Sequence, residues 1–193
     1  MKLTDLDIIV TAPPAPGWGG RYWLLIKLTA DNGIIGWGEC YASSVGPKAM
    51  EVVIQDVFER YFSNENPENI ERLFRRVYSS GFTQRPDLTV MGAFSGLEIA
   101  CWDILGKHRE RPVWALLGGM LNERIRAYSY LYPLPHHDPD AFWHSPEISA
   151  ESALELVNRG YTALKFDPAG PYTMRGGHMP ALADVSRSVE FCR

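Results

Sequence analysis

The sequence predicts an α+β unit, a small antiparallel sheet packed with helices, followed by an alternating β-α-β-α run. Three observations carry this. Residues 21–40, "RYWLLIKLTADNGIIGWGEC", hold two strand-like runs separated by a turn; apolar residues recur at helical spacing between residues 46 and 108; and from residue 125 strand-like and helix-like segments alternate. Alternation of that kind builds a parallel sheet, either closed as an eight-fold barrel or open and doubly wound.

The first strand is expected around Leu6 to Thr11, and "APPAPGWGG" (residues 12–20) breaks it with prolines and glycines into a loop around Trp18. The turn of the hairpin falls at Asp31 to Gly33, ahead of a strand through Ile34 to Trp37. Met50, Val53, Ile54, Val57, Phe58 and Tyr61 then line one face of a first helix. "NPENIERLFRRVY" opens a second, with Asn66 as N-cap and Pro67 at its first position. A third helix, about Thr89 to His108, carries Gly92, Ala93, Gly96 and Ala100, small residues that let another element approach closely, as a central helix requires. Pro112 and "LLGG" (116–119) close the unit. Beyond it, "RIRAYSYLYP" reads as a strand, "SAESALELVNRG" as a helix capped by Ser149 and stopped at Gly160, "YTALKFD" as a strand and "MPALADVSRSVEFCR" as a helix.

Composition excludes several classes. The 193 residues are 46% hydrophobic and 22% charged with a net charge of −4, and the 19 lysines and arginines form no basic stripe, so neither nucleic acid nor an anionic membrane surface is an expected partner. Asp5 and Asp7 interrupt the N-terminus before a signal peptide could form, and no uncharged apolar run approaches the roughly 18 residues of a membrane span, so the cytoplasm is the expected compartment. The three cysteines, Cys40, Cys101 and Cys192, are too far apart for a zinc site or a disulfide framework.

The run "AFSGLEIACWDILGKHRERPVWALLGG" (93–119), after "GIIGWGEC" (33–40) and before a β-α series, resembles the N-terminal capping domain of the enolase superfamily. The closer resemblance is to the mandelate racemase and muconate lactonizing enzyme group, in particular its sugar-acid (galactonate) dehydratase branch. That resemblance implies a capping domain over residues 1–124 and, over 125–193, the first two β/α units of a TIM-like (β/α) barrel whose C-terminal mouth the cap covers. A whole barrel takes about 250 residues, so about a quarter of one is expected here. The open edge that results suggests a fragment, or one part of a split barrel completed by a C-terminal segment from another chain.

The family's reaction is removal of the proton next to a carboxylate, with Mg²⁺ stabilising the enolate. The resemblance implies that the metal ligands come from the third to fifth barrel strands, so none is expected in this chain. It also implies that the loops around Pro13 to Gly20 and Tyr41 to Gly46 close on the substrate. Trp18 and Tyr41 are therefore candidate substrate contacts. His136 and His137, in "YPLPHHD" after the first barrel strand, and His178, after the second, are further ones.

The catalytic candidates are Lys165 and Asp167 in "ALKFDPAG". Strand alternation turns both to one face, about 6.6 Å apart along the chain, with Leu164 and Phe166 on the other. Racemases of the group carry Lys-x-Lys at this strand. Two lysines about 7 Å apart would repel by roughly 2.4 kcal/mol at an effective dielectric near 20 and so favour a neutral base. Asp167 in the second position reverses that sign, which suits Lys165 to binding a carboxylate or hydroxyl, or to acting as a general acid. The expected function is thus a Mg²⁺-dependent sugar-acid dehydratase, inactive as this chain alone and, as is common in the family, homo-oligomeric. A racemase, epimerase or cycloisomerase is the alternative within the group, and a non-catalytic, partner-binding subunit is the alternative outside it.

Overall fold

The computed structural model describes residues 1–15, 22–41, 45–168 and 182–193, which fall into two compact units, Met1–Leu121 and Asn122–Arg193. In the first unit β1 (Leu3–Thr11), β2 (Trp23–Ala30) and β3 (Ile35–Cys40) form an antiparallel sheet in that order. Gly33, at φ +81°, closes the β2–β3 hairpin in a left-handed conformation natural to glycine, and its N–H donates to the Ala30 carbonyl at 2.9 Å. Along β2 the even positions Leu24, Ile26 and Leu28 are buried, the period-two signature of a sheet with one covered face.

Helices α1 (Pro47–Val57) and α3 (Leu88–His108) cover that face, α2 (Ile70–Ser80) packs against α3, and a π-helical turn, Phe58–Phe62, extends α1. Met50, Ile54 and Val57 of α1, Ile70, Leu73 and Val77 of α2, and Phe94, Leu97 and Ile104 of α3 join the three β2 residues in one core. Burying each such side chain contributes about 1.5–3 kcal/mol. α3 lies almost on the backbone of β3: a Cβ added to Gly38 would overlap the Gly96 carbonyl, and one added to Gly36 the Ala100 carbonyl. The stripe of small residues is what lets the helix sit there. Among the described residues α3 is also the one helix long and apolar enough to cross a membrane; its buried Ala93, Gly96 and Ala100 make it the core helix of this unit.

One capping expectation in this unit is corrected. Asn66 does not cap α2. Its Oδ1 accepts from the Glu68 N–H at 3.0 Å, closing a turn around Pro67 that precedes the helix, which begins at Ile70. Asp87 caps α3, accepting from the Thr89 and Val90 N–H groups.

In the second unit β4 (Ser129–Tyr130) and β5 (Leu164–Lys165) pair in parallel, Ser129 opposite Leu164 and Tyr130 opposite Lys165. This ladder is far shorter than the apolar runs around it suggested, although the Arg126 guanidinium prolongs the contact by donating to the side chain and carbonyl of Thr162. After α4 (Val113–Leu116) of the first unit, the helices here are α5 (Pro139–Phe142), α6 (Pro146–Asn158) and α7 (Leu182–Cys192). Ser145, not Ser149, caps α6: Pro146 takes the first helical position, so Ser149 lies inside the helix, buried, with its hydroxyl donating to the Phe142 carbonyl at 2.7 Å. Gly160 ends this segment at φ +93°, as expected. Leu131, Phe142 and Leu156 form the core, flanked by Trp143, Ile148, Tyr161 and Phe166.

Candidate functional site

The parallel pairing of β4 and β5 sets the site. Because side chains alternate, Tyr130 and Lys165, opposite each other, share a face with Tyr128 and Asp167. Phe166 points the other way and packs against Phe142, Trp143 and Phe191. The Lys165 Nζ stands 4.9 Å from the centre of the Tyr130 ring and 6.0 Å from that of Tyr128, within the range of cation–π attraction. Tyr130 stacks on Tyr132 at 5.5 Å and donates its hydroxyl to Asp167 Oδ2 at 2.8 Å.

Lys165 and Asp167 therefore share the expected face but do not pair with each other. No ion pair joins them among the described residues; each is engaged by a tyrosine instead. Strand geometry gives the reason. Two positions along a strand separate by about 6.6 Å, whereas the residue opposite on the neighbouring strand, Tyr130 for Lys165, is about 4.8 Å away. The length of the tyrosine side chain carries its hydroxyl diagonally on to Asp167. The hydrogen bond to Asp167 raises the Tyr130 pKa, helped by desolvation and by the carboxylate's charge, so the phenol keeps its proton. The face offers one cation, one carboxylate and one phenol proton. It can bind an anionic group at Lys165, with the Tyr130 phenol held in place by its hydrogen bond to Asp167. Tyr130 was not singled out from the sequence, although "AYSYLYP" puts a tyrosine at every second position, a one-faced aromatic strand legible from period two.

His136 and His137 follow β4, and both turn to one carboxylate of α6: their Nε2 atoms lie 3.2 Å from Glu151 Oε1 and Oε2 respectively. The Leu134 N–H donates to His137 Nδ1 at 3.2 Å, so that nitrogen is an acceptor and Nε2 carries the proton toward Glu151. Bonds from His137 and then His136 hold the Glu151 carboxyl below the usual carboxylate range. No spacing rule reveals Glu151, since a loop and a helix meet there. In the first unit Tyr41 is 78% exposed, beyond the end of β3. Trp18 and His178 lie outside the described residues.

The residues present do not fit Mg²⁺, which takes oxygen ligands in octahedral geometry. The three-residue cluster among the described residues that could hold a metal is His136, His137 and Glu151, with two nitrogen donors, while Asp167 is engaged by Tyr130.

Residues 19–118 match the family described as Mandelate racemase / muconate lactonizing enzyme, N-terminal domain. The chain is similar to the crystal structure of a mandelate racemase/muconate lactonizing enzyme from Sulfitobacter sp., with TM-score 0.93 and 76% identity over 100% of this chain and 48% of that one. A Jannaschia sp. CCS1 structure under the same description gives 0.92 and 67%, over 100% of this chain and 50% of the other. A D-gluconate/D-galactonate dehydratase of Picrophilus torridus is 35% identical over 158 residues, 80% of this chain and 38% of that relative. The chain thus spans about half the length of the similar structures and less of the curated dehydratase.

Proposed function

Because the chain belongs to the mandelate racemase and muconate lactonizing enzyme family, within the enolase superfamily, we propose that it forms the cap and the first barrel strands of a sugar-acid dehydratase. The observation that carries this reading is the Lys165 ammonium beside the Tyr130–Asp167 pair on one strand face. In the proposed reaction the C–H bond next to the substrate carboxylate breaks, its proton passing to a base supplied by the remainder of the barrel and its electron pair moving into the carboxylate as an enolate. That pair then forms the double bond to the next carbon as the C–O bond there breaks, the hydroxyl taking a proton from the Lys165 ammonium and leaving as water. The resulting enol becomes a 2-keto acid.

Lys165 holds the substrate carboxylate or the departing hydroxyl, by charge and hydrogen bonding. Tyr130, its one proton donated to Asp167, lies beside it and supports the lysine through its ring face. The dehydratase relatives support an aldonic acid as substrate. A requirement for Mg²⁺ belongs to the same proposal, with carboxylate ligands from strands other than β4 and β5, as do a cytoplasmic location and assembly into oligomers. Turnover accordingly needs the remainder of a barrel, and this chain alone is proposed to be inactive.

Mass spectrometry of aldonic acids incubated with Mg²⁺ tests the reading, using the chain alone and the chain with a complementing C-terminal barrel segment. Loss of one water from a single acid, in the completed protein only, is the expected result. Exchange of the proton next to the carboxylate without loss of water would overturn it in favour of a racemase. In the active protein Lys165→Ala is expected to lower kcat/KM at least about 100-fold, the scale of a proton-transferring or charge-stabilising group. Unchanged turnover would remove Lys165 from the mechanism.

A further inference from the structure

Two imidazoles and a carboxylate converge after β4, and the proposed dehydration uses none of them. We infer that His136, His137 and Glu151 form a binding site for a divalent transition metal, with Zn²⁺ as its representative. One ligand atom from each lies within 4.8 Å of the other two. Ligands of a tetrahedral ion bound at about 2.1 Å stand about 3.4 Å apart. Each imidazole lies 3.2 Å from one carboxylate oxygen, His136 from Oε1 and His137 from Oε2, so a carboxylate bound through either oxygen has one edge at that spacing and reaches the other by turning. The rings lie edge to face with centres 4.4 Å apart, and a small rotation of the exposed His136 closes the third edge.

The donor set decides the metal class. Imidazole nitrogens suit Zn²⁺, Ni²⁺ and Cu²⁺, whereas Mg²⁺ and Ca²⁺ take oxygen. Preorganisation comes from His137, whose side chain is 4% exposed. Access comes from His136 and Glu151, 65% and 57% exposed, so that remaining coordination positions face water.

Binding has a defined proton consequence. The metal takes the Nε2 lone pair of His137, so the ring proton moves from Nε2 to Nδ1. The buried Ser152 hydroxyl, 3.4 Å from Nδ1, accepts it there, and the Leu134 N–H gives up its bond. Ser152 is then the outer partner that orients a ligating histidine. Loss of the Leu134 bond limits the affinity, which makes this a site of moderate strength rather than a permanent structural one.

The inference is independent of the dehydratase reading, because its readout is metal binding by the chain itself. Titration calorimetry with Zn²⁺, and visible absorption with Co²⁺ as a spectroscopic substitute, are expected to show one site, with Mg²⁺ giving no response. His136→Ala and Glu151→Gln change exposed positions and should leave the fold intact by circular dichroism. Each is expected to weaken Zn²⁺ binding at least about tenfold, because removing a ligand costs no less than removing a ligand's partner. Ser152→Ala should weaken it about tenfold while keeping the Co²⁺ spectrum. Zn²⁺ binding that is absent, or unchanged in both His136→Ala and Glu151→Gln, would overturn the assignment.

Discussion

The two units divide the work differently. Among the described residues the first gathers nineteen buried apolar side chains into one core, while the second buries three, Leu131, Phe142 and Leu156. In the second unit the strand face that could have been apolar carries Tyr128, Tyr130, Lys165 and Asp167 instead. A strand face given to a lysine, an aspartate and tyrosines contributes little burial. The difference teaches where packing and polar groups are kept: the first unit is built for packing, and the short parallel strands carry charged and phenolic groups at the expense of core.

The largest expected effects come from truncating the aromatic anchors of each core. Phe94→Ala and Phe142→Ala each leave a cavity worth about 3–5 kcal/mol. In the large core that loss should lower the cap's unfolding midpoint while amide exchange still shows protected β2 and α3. In the small core Phe142 packs against Trp143 and Phe166, so its loss should strip protection from β4, β5 and α6. Retained protection in the second unit would break the comparison.

Next is the contact of α3 with β3. Gly38→Ala drives a methyl into the Gly96 carbonyl, and because backbone rather than a flexible side chain must shift, the cost should reach about 3 kcal/mol. Denaturant unfolding reads it directly. A cost well below 1 kcal/mol would mean that the helix floats on the sheet rather than being seated in it.

The thiols sharpen the comparison through pH. Burial pushes the Cys40 and Cys101 thiols, both in the cap, up to about 12, whereas Cys192 in the second unit is exposed. Below the ordinary thiol value both states are protonated and nothing changes. Above it the unfolded chain releases protons that the folded cap retains, so stability falls by about 1.4 kcal/mol per pH unit for each buried thiol. Urea unfolding between pH 8 and pH 10 should show that decline, and a thiol reagent at pH 8 should label Cys192 while sparing Cys40 and Cys101 until the cap unfolds.

The cap was legible because its signals are local: the turn at Gly33, the apolar period of α1 and the glycine and alanine stripe of α3 each act within a few residues of their cause. Legibility failed where a choice depended on neighbours. Ser149 and Asn66 are good caps in isolation, yet Pro146 and a preceding turn moved the helix starts. The placement of Lys165 and Asp167 on one face followed from strand alternation, while their actual partner, Tyr130, came from the register between β4 and β5, which alternation alone does not set. Glu151 was hidden for the same reason, since its partners lie on a loop.

The smallest effect tests whether the core alone carries the cap. Glu71 and Arg75 pair on the exposed face of α2, one turn apart at 2.7 Å, with both side chains more than two-thirds exposed. In high-dielectric solvent the Coulombic gain nearly cancels the entropy lost by holding two long side chains, leaving about 0.3–0.5 kcal/mol. Arg75→Ala should therefore move the unfolding midpoint hardly at all, and raising the salt concentration should erase what difference remains. A loss above 1 kcal/mol would mean that α2 is held by its surface as well as by Ile70, Leu73 and Val77, and the assignment of the cap's stability to its core would need revision.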